Sequence, residues 1–145
     1  MKPPRDDSVS VPASAADARF HEVALIKAFI VSRKHPRMIS LLANQNRRDA
    51  IVNKLSHFRD LDPRWAHRLL PSIHNASAIE ELLRSKGAPT ICYAISEDSS
   101  IDGRFLPLID ALTTADSGFG TFLSCIPGRL AYFEGEDGRF LLEKH

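Results

Sequence analysis

Residues 121–143 read TFLSCIPGRLAYFEGEDGRFLLE, three apolar runs separated by two turn signals. The first run, 121–126, is rich in β-branched and aromatic residues, which fit a pleated surface. Pro127-Gly128 suits the centre of a type II turn, because proline presets φ and glycine accepts positive φ. A second run follows at 129–134. Asp137-Gly138 is a hairpin signal ahead of a third run at 139–143. The spacing predicts a three-stranded β-meander.

Upstream, 90–96 (TICYAIS) alternates Ile91, Tyr93 and Ile95 with small residues, which predicts a fourth strand. A polar turn at 97–104 leads to a predicted helix over 106–114, with Leu108, Ile109 and Leu112 at helical spacing. Before Pro89 the pattern is helical. Ser77 and Glu80 form a capping box for a helix over 77–86, which Gly87 and Pro89 end. Further helices are expected at 36–43, at 46–58 with Asn46 as cap, and at 63–70 with Asp62 capping ahead of Pro63. Residues 18–31 have mixed periodicity and read as a helix, with a strand left open by their β-branched end. Residues 1–15, rich in proline and serine, are expected as a disordered tail to a single domain over 16–145. Helices first and strands later imply an α+β fold, with N-terminal helices packed on a small, mostly antiparallel C-terminal sheet formed by the meander and strand 90–96.

The chain has 145 residues, 43% of them hydrophobic and 26% charged, and a formal net charge of +1. That composition is globular and the length suits one domain with its own core. It excludes collagenous and disulfide-scaffold classes. No apolar run is long enough for a secretory signal core or a membrane span, so the expectation is a cytoplasmic chain without a membrane partner. Cys92 and Cys125 then read as reduced thiols. P-loop, HExxH, paired CxxC and GxSxG patterns are absent, so no cofactor is expected and no motif decides whether the chain is an enzyme.

The small net charge conceals two poles. Residues 19–88 hold 13 Lys and Arg against 6 Asp and Glu, whereas 89–145 hold 4 against 9. Such asymmetry points to a charged partner. The leading expectation is a binding or regulatory module acting through protein–protein contact. Its partner would be an acidic protein surface or a second copy of the chain. Arg47, Arg48, Lys54, Arg59, Arg64, Trp65 and Arg68 are the candidate binding residues. The same basic helices, 36–58, with Arg33, Lys34 and Arg37 nearby, also allow a nucleic-acid reading of helix-turn-helix type. The sequence pI of about 7.9 weighs against that reading.

Catalysis has a rival set of candidates. Residues 57–68 (HFRDLDPRWAHR) place His57, Asp60 and Asp62 close together, as acid–base work or a divalent metal would need. Glu97, Asp98 and Asp102 form the best acidic cluster for a metal. Asp98 to Gly103 also match the start of a calcium loop, but the ninth and twelfth positions are Leu106 and Ile109. A hydrolase or nuclease would require the 97–102 turn to meet the HFRDLD segment. Cys125 is the remaining nucleophile candidate, although free cysteines are most often buried small hydrophobes.

Overall fold

The computed structural model describes residues 11–12, 15–116 and 118–145. In chain order the elements are β1 (Val11–Pro12), α1 (Ala15–Phe29), α2 (His35–Ala43), α3 (Asp49–Val52) and β2 (Ala66–Arg68), followed by α4 (Ala76–Ser85) and β3 (Ile91–Ser96). Next come β4 (Arg104–Pro107), α5 (Leu108–Ala115), β5 (Thr121–Ile126), β6 (Leu130–Gly135) and β7 (Gly138–Glu143). The fold is α+β. One antiparallel sheet runs in the order β1-β4-β3-β5-β6-β7-β2. Of the segment expected as a tail, residues 1–10, 13 and 14 lie outside the described residues.

The meander forms as its turn residues demand. Arg129 N–H donates to Ile126 O at 2.9 Å, and Gly128 takes φ +73°, where a side chain would be strained. Cys125 is the extra residue of a bulge, because Ser124 and Ile126 oppose the adjacent Ala131 and Leu130. The central strands are buried on both faces, which is why β5 and β6 read as apolar runs and not as an alternation. On one face Tyr93, Ile95, Phe122 and Phe133 pack under Leu25, Ile26 and Phe29 of α1. On the other, Ala94, Leu123 and Tyr132 meet Ile79 and Leu83 of α4 and Leu108 and Leu112 of α5. Helices therefore cover both faces of the sheet.

Several local expectations are corrected. The apolar segment 18–31 is resolved as α1, and Ile30 leaves it to bridge Leu61. The helix expected over 46–58 is broken. Only Asp49–Val52 is α-helical and a 3₁₀ turn spans Leu55–His57. The N-cap position is Arg48 and not Asn46, whose N–H instead donates to Asn44 Oδ1 in the preceding turn. The helix expected over 63–70 does not form, and residues 63–65 are a turn. Asp62 opens it by accepting from Arg64 N, but residues 66–68 then satisfy their backbone groups against β7. The helix over 106–114 starts late, because residues 104–107 first pair with β3. Asn75, not Ser77, caps α4, through its Oδ1 and the Ala78 N–H at 2.8 Å.

Candidate functional site

The acidic turn after β3 is engaged by the protein itself. Asp102 accepts from Arg48 Nε at 2.9 Å, Arg48 Nη2 at 3.0 Å and Ser96 N at 3.0 Å. Arg48 Nη1 donates to Glu22 at 2.6 Å and to Leu42 O at 3.1 Å, and the Tyr93 hydroxyl donates to the same Glu22 oxygen at 2.5 Å. Burial works against the Arg48 charge, but its bonds to Asp102 and Glu22 outweigh that and raise its pKa. Burial and the Glu22 charge likewise raise Tyr93. Arg48 is therefore an internal tie and not a free surface cation. These groups line a cleft of about 530 Å³, together with Arg19 and Gln45.

Glu97 has a different duty. Its two oxygens accept from Ser56 N and Gly120 N, both at 2.9 Å, and its own N–H donates to Gly120 O at 2.9 Å. A Cβ at Gly120 would overlap the backbone of Leu55 and Ser56, so only glycine permits this approach. Asp98 caps its own turn through Ser100 N and Oγ. The three candidate metal carboxylates thus face three separate sets of donors. Among the described residues no group of three or more His, Cys, Asp or Glu side chains is arranged to hold a metal.

The contact with the acidic turn comes from the residue just before the HFRDLD segment: Ser56 N donates to Glu97, and there the carboxylate serves the backbone. His57 Nδ1 lies 2.9 Å from one Glu136 oxygen, and Arg59 donates to the other at 2.7 Å. These partners hold the Glu136 carboxyl below the usual range. Asp60 pairs with Arg33 at 3.2 Å and Lys34 at 3.7 Å. Asp62 turns away to Arg64, whose side-chain hydrogen bonds hold its carboxyl low. Cys125 lies in the sheet, and burial pushes its thiol up to about 12. Cys92 is raised as well, by burial and by the neighbouring Cys125. Both thiols stay protonated near neutral pH, which suppresses nucleophilic chemistry.

The basic residues separate into distinct places. Trp65 is half-buried between Arg64 and Lys144, 5.6 and 5.2 Å from its ring centroid. Arg68 stacks on Phe140 at 4.8 Å and donates to Asp137 O. Arg47 lies in a shallow cleft beside α2, with Arg37 on its border. Lys54 and Arg59 do converge, in a groove of about 590 Å³ walled by α2, α3 and residues 54–60. Met38, Ile51 and Phe58 supply its apolar surface, while Lys34, Arg37 and His57 complete its basic rim. The groove owes its third wall to the break after α3. Ser56 is held by Glu97, and its carbonyl accepts from Glu136 N at 2.8 Å. The chain is thereby tied to the sheet instead of continuing as a helix. Met38, Ile51 and Phe58 carry an apolar periodicity that reads as core, and they do pack on the core under α1, so the groove exposes only the edge of that cluster. Glu136, the organiser of His57 and Arg59, lies 77 residues beyond Arg59 and gives no local signal.

Compared with known protein families, curated proteins and solved structures, the chain shows no significant match. No helix among the described residues is long and apolar enough to cross a membrane.

Proposed function

We propose that this protein is a binding module that docks an acidic, partly apolar segment of a partner protein in the groove between α2, α3 and residues 54–60. One observation carries the reading: an apolar floor is rimmed by cations, and two of these, Arg37 and Lys54, have no ion pair among the described residues. Apolar contact supplies affinity while complementary charge steers association and selects the partner. The α3 helix has only four residues, too few to serve as a recognition helix in a DNA groove. Arg64 and Lys144 already lie over the Trp65 ring, and the Phe58 ring packs edge-on to Phe122 and Phe133, so neither aromatic near the positive charge is an open platform among the described residues. Those features favour a peptide over a nucleic acid.

The test is fluorescence anisotropy with a labelled acidic amphipathic peptide, titrated with the full chain at low and physiological salt. Binding should weaken with salt. The double substitution Arg37→Glu and Lys54→Glu should weaken it at least about tenfold, about 1.4 kcal/mol. Equal affinity for a charge-reversed peptide, or no effect of the double substitution, would overturn the proposal.

A further inference from the structure

The rim of the groove is more elaborate than one carboxylate requires. Glu136 sits at the tip of the β6–β7 hairpin, outside the groove lining, and holds His57 with one oxygen and Arg59 with the other, at 2.9 and 2.7 Å. The two cation-forming side chains are therefore set side by side before any ligand arrives. Nδ1 of His57 is taken by Glu136, which leaves Nε2, on the other side of the ring, without a partner among the described residues. Arg59 uses its terminal nitrogens for Glu136 and Phe58 O and keeps Nε. Lys54 precedes them on the same wall, and Arg37 lies on α2. The acid lining the groove, Asp60, pairs with Arg33 and with Lys34 of the rim, so its charge is set against those two and not against Arg37 or Lys54.

We infer that the docked segment carries a phosphomonoester, which the Lys54–His57–Arg59 wall receives while neighbouring apolar side chains pack on Met38 and Ile51. The inference rests on the docking reading above and adds the chemistry of the recognised group. A phosphomonoester carries close to two charges and three strong acceptor oxygens, so it can engage several donors at once where a carboxylate, with one charge and two oxygens, engages fewer. Prior orientation by Glu136 lowers the ordering cost of that engagement.

The experiment compares one acidic amphipathic peptide in three forms: with phosphoserine, with serine and with glutamate at the same position. A single-stranded oligonucleotide of similar charge serves as a fourth probe. Each is titrated with the full chain by anisotropy. The phosphoserine form should bind at least about tenfold more tightly than the glutamate form. In His57→Gln and in Arg59→Met that ratio should fall below about threefold. The His57 and Arg59 side chains are 67% and 49% exposed, and circular dichroism of each variant checks that it folds. Equal binding of the phosphoserine and glutamate forms would overturn the phosphate inference and leave the docking groove standing. Failure of all three peptides would overturn both. Tighter binding of the oligonucleotide than of any peptide would also overturn both, in favour of nucleic acid.

Discussion

Two clusters of tyrosine, glutamate, arginine and aspartate occupy opposite faces of the sheet. In the first, under α1, Tyr93 donates to Glu22, and Arg48 joins Glu22 to Asp102. In the second, on the α4–α5 face, Tyr132 donates to Glu134 at 2.5 Å, and Arg139 pairs with Glu134 at 3.4 Å and Asp116 at 2.9 Å. The residue types are the same and the work differs. Arg48 places all three of its nitrogens in hydrogen bonds and links α1, the turn before α3 and the β3–β4 turn. Arg139 leaves Nε buried without a hydrogen bond and joins two neighbouring strands to the end of α5. The first cluster is a long-range tie with its donors used. The second is a local clasp whose Nε meets Glu134 as a 3.4 Å ion pair without a hydrogen bond.

The sharpest way to break this contrast is to remove the two arginines in turn. Arg48→Met leaves Glu22 and Asp102 with 5% and 18% side-chain exposure and no cation between them. Breaking a buried pair from one side costs about 3–5 kcal/mol, read as a lower urea midpoint at unchanged m-value. Adding Glu22→Gln to Arg48→Met should restore part of that loss, because one uncompensated carboxylate is removed. Arg139→Met should cost about 1 kcal/mol, roughly 2–4 °C in Tm for a chain of this size, because Arg139 and Asp116 are one-third and one-half exposed. Equal losses in the two variants would mean that the clusters do the same job.

The tie also shows why part of the architecture was legible in the sequence and part was not. The meander follows from dipeptides that set their own turns, so Pro127-Gly128 and Asp137-Gly138 announce it locally. The Asp98–Gly103 stretch was equally readable as a turn. Nothing local could announce that Asp102 anchors an arginine 54 residues earlier. Arg48 reads from the sequence as a binding residue on a basic helix, because a continuous helix is expected over 46–58. That helix breaks because Ser56 is held by Glu97, which requires the close approach that Gly120 permits. The groove followed the same course. Its cations were visible as a basic stretch, and its apolar surface was visible as periodicity. Their meeting depends on where the strap 54–60 is tied, which is a tertiary fact.

Acid and base should weaken the two faces in opposite senses, and this sets a smaller effect beside the arginine losses. His21 of α1 lies against Tyr93, with ring centroids 5.5 Å apart, and Nδ1 is 2.8 Å from Ser124 Oγ. Burial lowers its pKa below the ordinary 6.5, partly offset by Asp17. Above pH 6.5 it is neutral in both folded and unfolded chains. As pH falls from 6.5 through the lowered folded value, the unfolded chain binds the proton first and stability drops. In His21→Gln that drop should disappear, so the stability difference between variant and native protein moves in favour of the variant below pH 6.5. A difference that stays constant from pH 7.5 to pH 5 would show that His21 is not protected by the first cluster.

Glu134 supplies the mirror case and the smallest shift. Burial raises its pKa above the ordinary 4.5, against the opposing pull of Tyr132 and Arg139. Below pH 4.5 it is protonated folded or unfolded. As pH rises from 4.5 through the raised folded value, the unfolded chain ionises first and stability falls, then levels off. Glu134→Gln keeps an acceptor for the Tyr132 hydroxyl and carries no charge to bury. The variant should therefore gain on the native protein as pH rises above 4.5, and the gain should then hold constant once the folded carboxyl has ionised. Urea titrations across pH 4 to 8 measure it. The same substitution in the Arg139→Met background should show a larger gain, because Arg139 is the cation that offsets the ionised form. Were the gain unchanged in that background, the 3.4 Å pair of Arg139 and Glu134 would contribute nothing, and the second cluster would reduce to a tyrosine–glutamate hydrogen bond.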